Sequence, residues 1–230
     1  LNELKSKLQS NPEIGTVFFQ LSLSFATTPF ERLSVGVADA NRSYFRQLSN
    51  PNRLFSGGIG RTFYSAQSMM IISHGLQSLG DAPSDIGLTV GVESALTFPS
   101  YLVYRSKMNG HSYIEALRSL TFARLKGGWG PFFLGNLAVT FPAVSAARGL
   151  ARYGNDALSS SIELGAYSLI AGLSSTVFRN IAVKNMSTQQ IMSNFSSHRS
   201  LLFAGSSAAI LREAIYGMGL LVIPKIKESV

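Results

Sequence analysis

The stretch Thr27-Thr28-Pro29-Phe30-Glu31-Arg32-Leu33 decides how this chain is interpreted. It ends an apolar run with a proline and places an acid and a base just beyond that proline. A second proline follows at Pro99, and Val177 stands where a third would be at a similar interval. We therefore interpret the chain as one domain, 1–230, built from three helix-loop-helix repeats at about 10–80, 81–155 and 156–228.

The composition indicates a membrane protein. Charged residues make up 14% of the 230 residues and hydrophobic residues 46%, against roughly 25% charged residues in an average soluble domain. No cysteine is present, which excludes disulfides and thiolate metal sites. Residues 1–7 lack the pattern of a signal peptide, and the missing initiator Met is compatible with a processed or trimmed start.

Six segments are long and apolar enough to predict transmembrane helices, although each contains Ser, Thr, Gly or an occasional charge. They are 13–30, 57–79, 85–104, 130–151, 158–178 and 201–223. A soluble all-α domain is the alternative, which the many glycines within the segments disfavour. We interpret Gly127-Gly128-Trp129-Gly130 as a turn with a tryptophan at the membrane interface.

The charges in the predicted loops alternate along the chain. Apart from Glu31 in the proline motif, thirteen bases and two acids lie in or beside the loops after the odd-numbered segments, whereas one base and four acids lie in or beside those after the second and fourth. The thirteen bases are Arg32, Arg42, Arg46, Arg53, Arg61, Arg105, Lys107, Arg118, Arg124, Lys126, Arg179, Lys184 and Arg199. Loops on opposite faces of a bilayer show this alternation, and a nucleic-acid partner would not explain it, although the net charge is +8.

An aromatic-x-Gly triplet opens each even-numbered segment in this interpretation. The triplets are Phe55-Ser56-Gly57, Phe133-Leu134-Gly135 and Phe203-Ala204-Gly205. The interval from the proline position to the glycine is the same in the first and third repeats and longer in the second. Such a glycine allows close approach of a backbone, and the N–H groups at a helix start favour a phosphate.

The repeats and triplets resemble the mitochondrial carrier family over nearly the whole chain. Pro29-Phe30-Glu31-Arg32-Leu33 is similar to the family's Pro-x-Asp/Glu-x-x-Lys/Arg signature, and Leu202-Phe203-Ala204-Gly205 with Arg212 is similar to a sixth carrier helix. The resemblance implies six tilted helices with pseudo-threefold symmetry, multi-pass in the mitochondrial inner membrane, around a cavity that exchanges anionic metabolites by alternating access. It also implies a gate of ion pairs between neighbouring repeats.

The gate positions depart from the family pattern. Pro29, Glu31, Pro99 and Arg179 are remnants of the gate in this interpretation, because Ser34, Tyr104 and Ala182 stand at its basic positions and Tyr101 and Arg179 at two of its acidic ones. The opposite gate falls near Gln77, Asn155 and Pro224 and is also degenerate. We therefore expect Glu31→Gln to leave assembly nearly intact and replacement of Gly57 to disturb it.

The resemblance also implies binding sites. Cardiolipin would lie at Gly57, Gly135 and Gly205, with Arg53 and Arg61 as flanking bases, although glycine could simply permit the turn into each helix. A substrate would contact positions near Tyr64, Pro142 and Ala143, and Arg212 with Glu213, unless the last two only neutralise each other. We expect no metal, no other cofactor, no nucleic acid and no enzymatic activity, because no set of nucleophile, base and orienting group is present.

Two functions remain open at this stage. The first is a transport-inactive structural subunit of an inner-membrane complex of the respiratory type. The second is an active, divergent carrier of an anionic metabolite or nucleotide, with Arg212 as the anchor and hydrogen bonds of Tyr101 and Tyr104 in the gate. A carrier that an intracellular bacterium directs to host mitochondria is a third possibility.

Overall fold

The structure is a computed structural model that describes residues 12–40, 43–49, 54–153, 157–187, 189–192 and 202–228. This part of the chain is helical and contains no strand. The main helices are α1 (Pro12–Ala26), α2 (Thr28–Ala40), α3 (Tyr44–Leu48), α4 (Gly58–Leu79), α5 (Pro83–Met108), α6 (Tyr113–Arg118), α7 (Phe122–Tyr153), α8 (Ala157–Lys184) and α9 (Ser206–Glu228). The prediction of an all-α protein is confirmed.

The six long helical paths pack in the order of the chain and close into a ring. α1 packs on α4, α4 on α5, α5 on α7, α7 on α8 and α8 on α9, and α9 returns to α1 and α2. The polar residues of these helices concentrate inside the ring, whereas many large apolar residues face outward. Glu93 and Arg212 are 0% and 4% exposed, while Ile59, Leu96 and Ile162 are 80%, 61% and 63% exposed.

The helices do not end at the prolines, although the sequence interpretation placed Pro29 at the end of an apolar run. The first path breaks only at Thr27, and Pro29 lies in the first turn of α2, where the missing N–H of proline does little harm. The Thr27 N–H still reaches Leu23 O at 2.9 Å across this break. Pro99 lies within α5, which continues to Met108. Both prolines therefore lie within longer helical paths.

The second repeat begins its even-numbered helix earlier than predicted. α7 starts at Phe122, so Gly127-Gly128-Trp129-Gly130 is helical and the prediction of a turn is wrong. Gly128 packs against the Phe98 ring and the carbonyl oxygen of Ala182, where a β-carbon would stand 2.7 Å from that oxygen. Packing in a space that admits only glycine outweighs the low helix propensity of this stretch.

A corrected register follows for the repeats. In the first and third repeats the glycine follows the proline position by the same number of residues. The same number of residues after Pro99 leads to Gly127 and not to Gly135. Phe133-Leu134-Gly135 lies inside α7 and opens no helix. The prediction that Gly135 stands at a helix start is therefore wrong, because an aromatic residue was given more weight than the spacing.

One glycine of each repeat contacts a neighbouring repeat in the same way. Gly57, Gly128 and Gly205 each face the carbonyl oxygen of the residue five positions beyond a proline position, namely Tyr104, Ala182 and Ser34. The third of these contacts joins the last repeat to the first. The contact pattern thus repeats three times around the ring.

Close packing of α8 on α9 gives a direct test of the ring. A β-carbon at Gly172 would lie 2.7 Å from Ile210 Cα on α9, whereas one at Gly165, two turns earlier on α8, would meet no described atom within 4 Å. We expect Gly172→Ala to lower the unfolding midpoint in detergent clearly, because the helices must separate, and Gly165→Ala to leave it unchanged or raise it slightly. Equal midpoints for the two variants, measured by circular dichroism, would contradict this packing.

Candidate functional site

The candidate site is a cavity of about 190 Å³ inside the ring. Five charged side chains line it: Glu31, Arg61, Arg179, Arg212 and Glu213. Tyr64, Tyr104, Tyr167 and Tyr216 add hydroxyl groups to its lining. The structure therefore brings Tyr64, Arg212 and Glu213 together, as the sequence interpretation expected of a substrate site, whereas Pro142 and Ala143 are not lining residues.

Arg212 is the centre of a buried ion-pair network. Its guanidinium contacts the carboxylates of both Glu31 and Glu213, and Arg212 Nε lies 2.9 Å from Glu213 Oε1. The Tyr167 hydroxyl donates to Glu213 Oε2 at 2.9 Å. Both buried carboxylates thus share one guanidinium, and this network by itself carries one excess negative charge.

Glu31 belongs to this network and has a buried ion-pair partner in Arg212, which its interpretation as a gate remnant did not include. Besides Arg212, its carboxylate accepts a hydrogen bond from the Tyr104 hydroxyl at 3.1 Å. This hydrogen bond joins α2 to α5. The signature alone could not show that Arg212, 181 positions away, also reaches Glu31.

Arg61 is buried inside the ring, where it cannot flank a lipid on the outer surface. It is 4% exposed and donates to the Ser24 carbonyl oxygen and, at 2.9 Å, to Thr27 Oγ1. A third bond reaches the Tyr216 hydroxyl at 3.2 Å. Because Ser24 and Thr27 adjoin the break between α1 and α2, Arg61 holds that break in place. The prediction of Arg61 as a lipid ligand is therefore wrong, and Arg53 lies outside the described residues.

Arg179 occupies an acidic position of the carrier pattern and lines the cavity. Its Nη2 donates to Asn136 Oδ1 at 3.3 Å, and its guanidinium lies 5.7 Å from the centre of the Tyr101 ring. Its Nε has no hydrogen-bond partner among the described residues. Within the described part of the chain, neither Arg179 nor Arg61 forms an ion pair with a carboxylate. With three guanidinium groups and two carboxylates, the lining of the cavity carries one net positive charge.

Glu93 and Asn136 form a second polar cluster beside Arg179. Glu93 is fully buried and accepts hydrogen bonds from Thr97 Oγ1 at 3.0 Å and Asn136 Nδ2 at 2.8 Å. Sequence reasoning missed Asn136. A lone amide within an apolar segment is the signal that could have found it.

Aromatic rings close one side of the cavity. This aromatic cluster consists of Tyr64, Phe98, Tyr101, Tyr104 and Phe132, from α4, α5 and α7. The Phe98 and Phe132 ring centres are 4.7 Å apart, and those of Tyr101 and Tyr104 are 5.2 Å apart. Such tight contacts are worth about 0.5–1.5 kcal/mol per pair beyond the buried area. Tyr101 and Tyr104 thus pack into this cluster with their rings, while their hydroxyls bond to Arg105 and Glu31.

A further hydrogen-bond chain ties the second repeat to the third. Arg105 donates to the Tyr101 hydroxyl at 2.6 Å and to Asn180 Oδ1 at 2.9 Å. Asn180 Nδ2 in turn donates to Leu202 O at 3.0 Å, just before α9. Arg61, Arg105 and Arg179 belong to the interior, so the bias of bases in the loops rests on fewer residues than the sequence count suggested.

Gly57 and Gly205 do stand at helix starts, as predicted. Their φ angles are 83° and 87°, which residues with a β-carbon rarely adopt. A β-carbon at Gly205 would also lie 2.5 Å from Ser34 O, and one at Gly57 would lie 2.8 Å from Met108 Cγ. Backbone geometry and close packing are enough to explain glycine at both positions.

Comparison with known proteins does not identify the type of this site. No protein-family model matches the sequence, and no curated protein or solved structure shows a significant match. Within the described residues, Pro83–Met108 is the one helix long and apolar enough to cross a membrane, and half of its most apolar 18-residue window is buried in the protein. No metal-ligating group of three or more His, Asp or Glu side chains occurs in that part of the chain.

Proposed function

We propose that this protein is a carrier-fold subunit of a mitochondrial inner-membrane complex of the respiratory type, and that it has lost solute transport. Six helical paths that close into a ring, with three equivalent contacts between repeats, support the carrier fold. The distribution of polar residues inside and large apolar residues outside supports insertion in a bilayer.

The loss of transport rests on one observation, the aromatic cluster at the degenerate gate positions. Ion pairs between repeats can exchange partners and so permit two access states, whereas here the rings of Tyr64, Tyr101 and Phe132 pack on one another, with the Tyr101 centre 5.6 Å from that of Tyr64 and 4.8 Å from that of Phe132. The cavity of about 190 Å³ is also smaller than the roughly 300–1,000 Å³ of ordinary small-molecule sites.

Native gels and proteoliposomes test this proposal together. We expect the endogenous protein to migrate with a large membrane complex, and the purified protein in liposomes to take up no labelled anionic metabolite or nucleotide above the level of empty liposomes. Uptake by the reconstituted protein that Arg179→Gln abolishes would overturn the proposal, because Arg179 lines the cavity. Arg118→Gln is the matched control, since Arg118 lies on the surface at the end of α6.

An anion carrier is the second candidate, and one observation favours it. Arg61 and Arg179 bring two guanidinium groups to the cavity without a carboxylate partner among the described residues, while Arg212 is already paired. In this function the anion would contact Arg61 and Arg179 rather than Arg212. Loss of uptake with Arg61→Gln or Arg179→Gln, in protein that remains folded, is the result this candidate requires.

We keep cardiolipin as a proposed bound lipid at the helix starts after Gly57 and Gly205, and no longer at Gly135 or Arg61. The free N–H groups of α4 and α9 at these starts support a phosphate there. Native mass spectrometry of protein extracted in a mild detergent checks this proposal. Release of no cardiolipin from the intact protein would contradict it.

A further inference from the structure

A second polar pocket lies at the end of the ring where α5, α6 and the start of α7 meet. Its volume is about 190 Å³, and its polar lining comprises Arg105, Ser106, Asn109, His111, Glu115, Ser119 and Arg124, with Leu102 and Val183 as apolar walls. It shares no lining residue with the central cavity. A pocket of this size exceeds the space that a single water needs and suits a small polyatomic group.

Arg105 provides a rigid charge at the base of this pocket. It is 3% exposed, and its bonds to the Tyr101 hydroxyl and Asn180 Oδ1 fix its orientation. A guanidinium held in place in this way loses little conformational entropy when it binds an anion. The base of the pocket is therefore prepared for a negatively charged group.

Arg124 brings the second guanidinium from the first turn of α7. Its Nη1 donates to Ser119 Oγ at 3.1 Å, which holds the side chain along the pocket wall. Ser119 Oγ itself donates to the Ala116 carbonyl oxygen at 2.7 Å, so its position is also fixed. Two guanidinium groups from different helices thus face one small volume.

Glu115 is the acidic residue in the lining, and its carboxylate is engaged in the N-terminal cap of α6. Its Oε2 accepts the Ser112 N–H at 2.6 Å, while the Ser112 hydroxyl accepts the Glu115 N–H. The hydrogen bond from the Ser112 backbone lowers the pKa of Glu115, so this carboxylate is ionised at neutral pH. Two guanidinium groups against one carboxylate leave the lining net positive.

We propose that this pocket binds a phosphate group, with Arg105 and Arg124 as its ligands and the side chains of Ser106, Asn109 and Ser119 as neutral hydrogen-bonding groups. Guanidinium groups match the oxygen spacing of phosphate and make short, charge-assisted hydrogen bonds to it. Lys107, Arg118 and Lys126 lie at the end of α5, at the end of α6 and near the start of α7. Their positive electrostatic potential attracts anions to this end of the molecule. The phosphate belongs either to a soluble compound or to a phospholipid headgroup.

The test compares two variants with the same loss of charge. Full-length protein in detergent, free of phosphate buffer, is titrated calorimetrically with inorganic phosphate. Arg124→Gln should weaken the affinity about tenfold or more, since a hydrogen bond to a charged group is lost, whereas Arg118→Gln should leave it within about twofold. Arg124 is preferred to Arg105 because loss of Arg105 would also remove its bonds to Tyr101 and Asn180.

A second arm distinguishes the sources of the phosphate. The same proteins are reconstituted in phosphatidylcholine nanodiscs with or without phosphatidic acid. Each protein is then extracted in detergent, and the phosphatidic acid that remains bound to it is measured. Arg124-dependent binding of inorganic phosphate indicates a soluble ligand, and Arg124-dependent enrichment of phosphatidic acid alone indicates a headgroup. The proposal is overturned when neither probe binds, or when Arg118→Gln weakens binding as much as Arg124→Gln does.

Discussion

Replacement of Arg212 with methionine is expected to destabilise the protein by about 3–5 kcal/mol, the usual effect of removing one partner of a buried ion pair. The variant leaves the carboxylates of Glu31 and Glu213 buried without their shared counterion. Unfolding in mixed detergent micelles, followed by circular dichroism, measures the loss. Arg118→Met is the surface control and should change stability by no more than about 0.5 kcal/mol.

Glu31→Gln belongs to the same experiment, because it separates the two carboxylates. Arg212 keeps Glu213 in this variant, so we expect a smaller loss of about 1–3 kcal/mol. The sequence alone indicated that this substitution leaves assembly nearly intact, whereas the contacts of Glu31 indicate a loss of stability. A stability for Glu31→Gln equal to that of the Arg118→Met control would restore the earlier view of Glu31 as a remnant.

The second large effect is expected from Gly205→Ala. An alanine at this position must adopt a backbone φ of 87°. Its β-carbon would also lie 2.5 Å from Ser34 O and 2.8 Å from Ser34 Cα. The left-handed conformation alone costs about 1–2 kcal/mol, and separation of α9 from α2 adds the loss of packing where the ring closes. We therefore expect the variant to accumulate poorly and to be digested rapidly by trypsin.

Gly110→Ala is the matched control for this prediction. Gly110 also has a positive φ, 101°, but a β-carbon there would meet no described atom within 4 Å. Its variant should show the conformational cost alone and remain folded at physiological temperature. Equal losses for Gly110→Ala and Gly205→Ala would mean that the contact with Ser34 adds nothing to stability.

Local patterns in the sequence were sufficient to predict an all-helical chain. The apolar segments overlap the six long helical paths, whereas most of α2 and the short helices α3 and α6 were not located. The positive φ at Gly57 and Gly205 agrees with glycine at helix starts. The second repeat was misread because helix propensity and an aromatic triplet are local signals. Gly128 packs against the carbonyl oxygen of Ala182, which belongs to the next repeat, and no local signal shows this contact.

The candidate site was only partly predictable for the same reason. Arg212 and Glu213 could be singled out because a charge within an apolar helix usually faces a cavity or a partner, whereas Tyr64 was implied by the resemblance to carriers. The partner of each polar group depends on how the ring closes, and no single helix reveals that. Arg61 therefore looked like a surface base beside a helix start, although it lies inside and holds the break at Thr27.

The proposed place in a bilayer has a consequence for how this sequence can change over generations. In a water-soluble domain, interior positions vary least and are apolar. In a bilayer, outward positions such as Ile59 and Leu96 need only remain apolar, so one aliphatic residue can replace another. The polar interior, such as Glu93 with Asn136, is bound by specific partners. Among close relatives, the most variable positions should therefore be hydrophobic and the most constant ones charged or amidic.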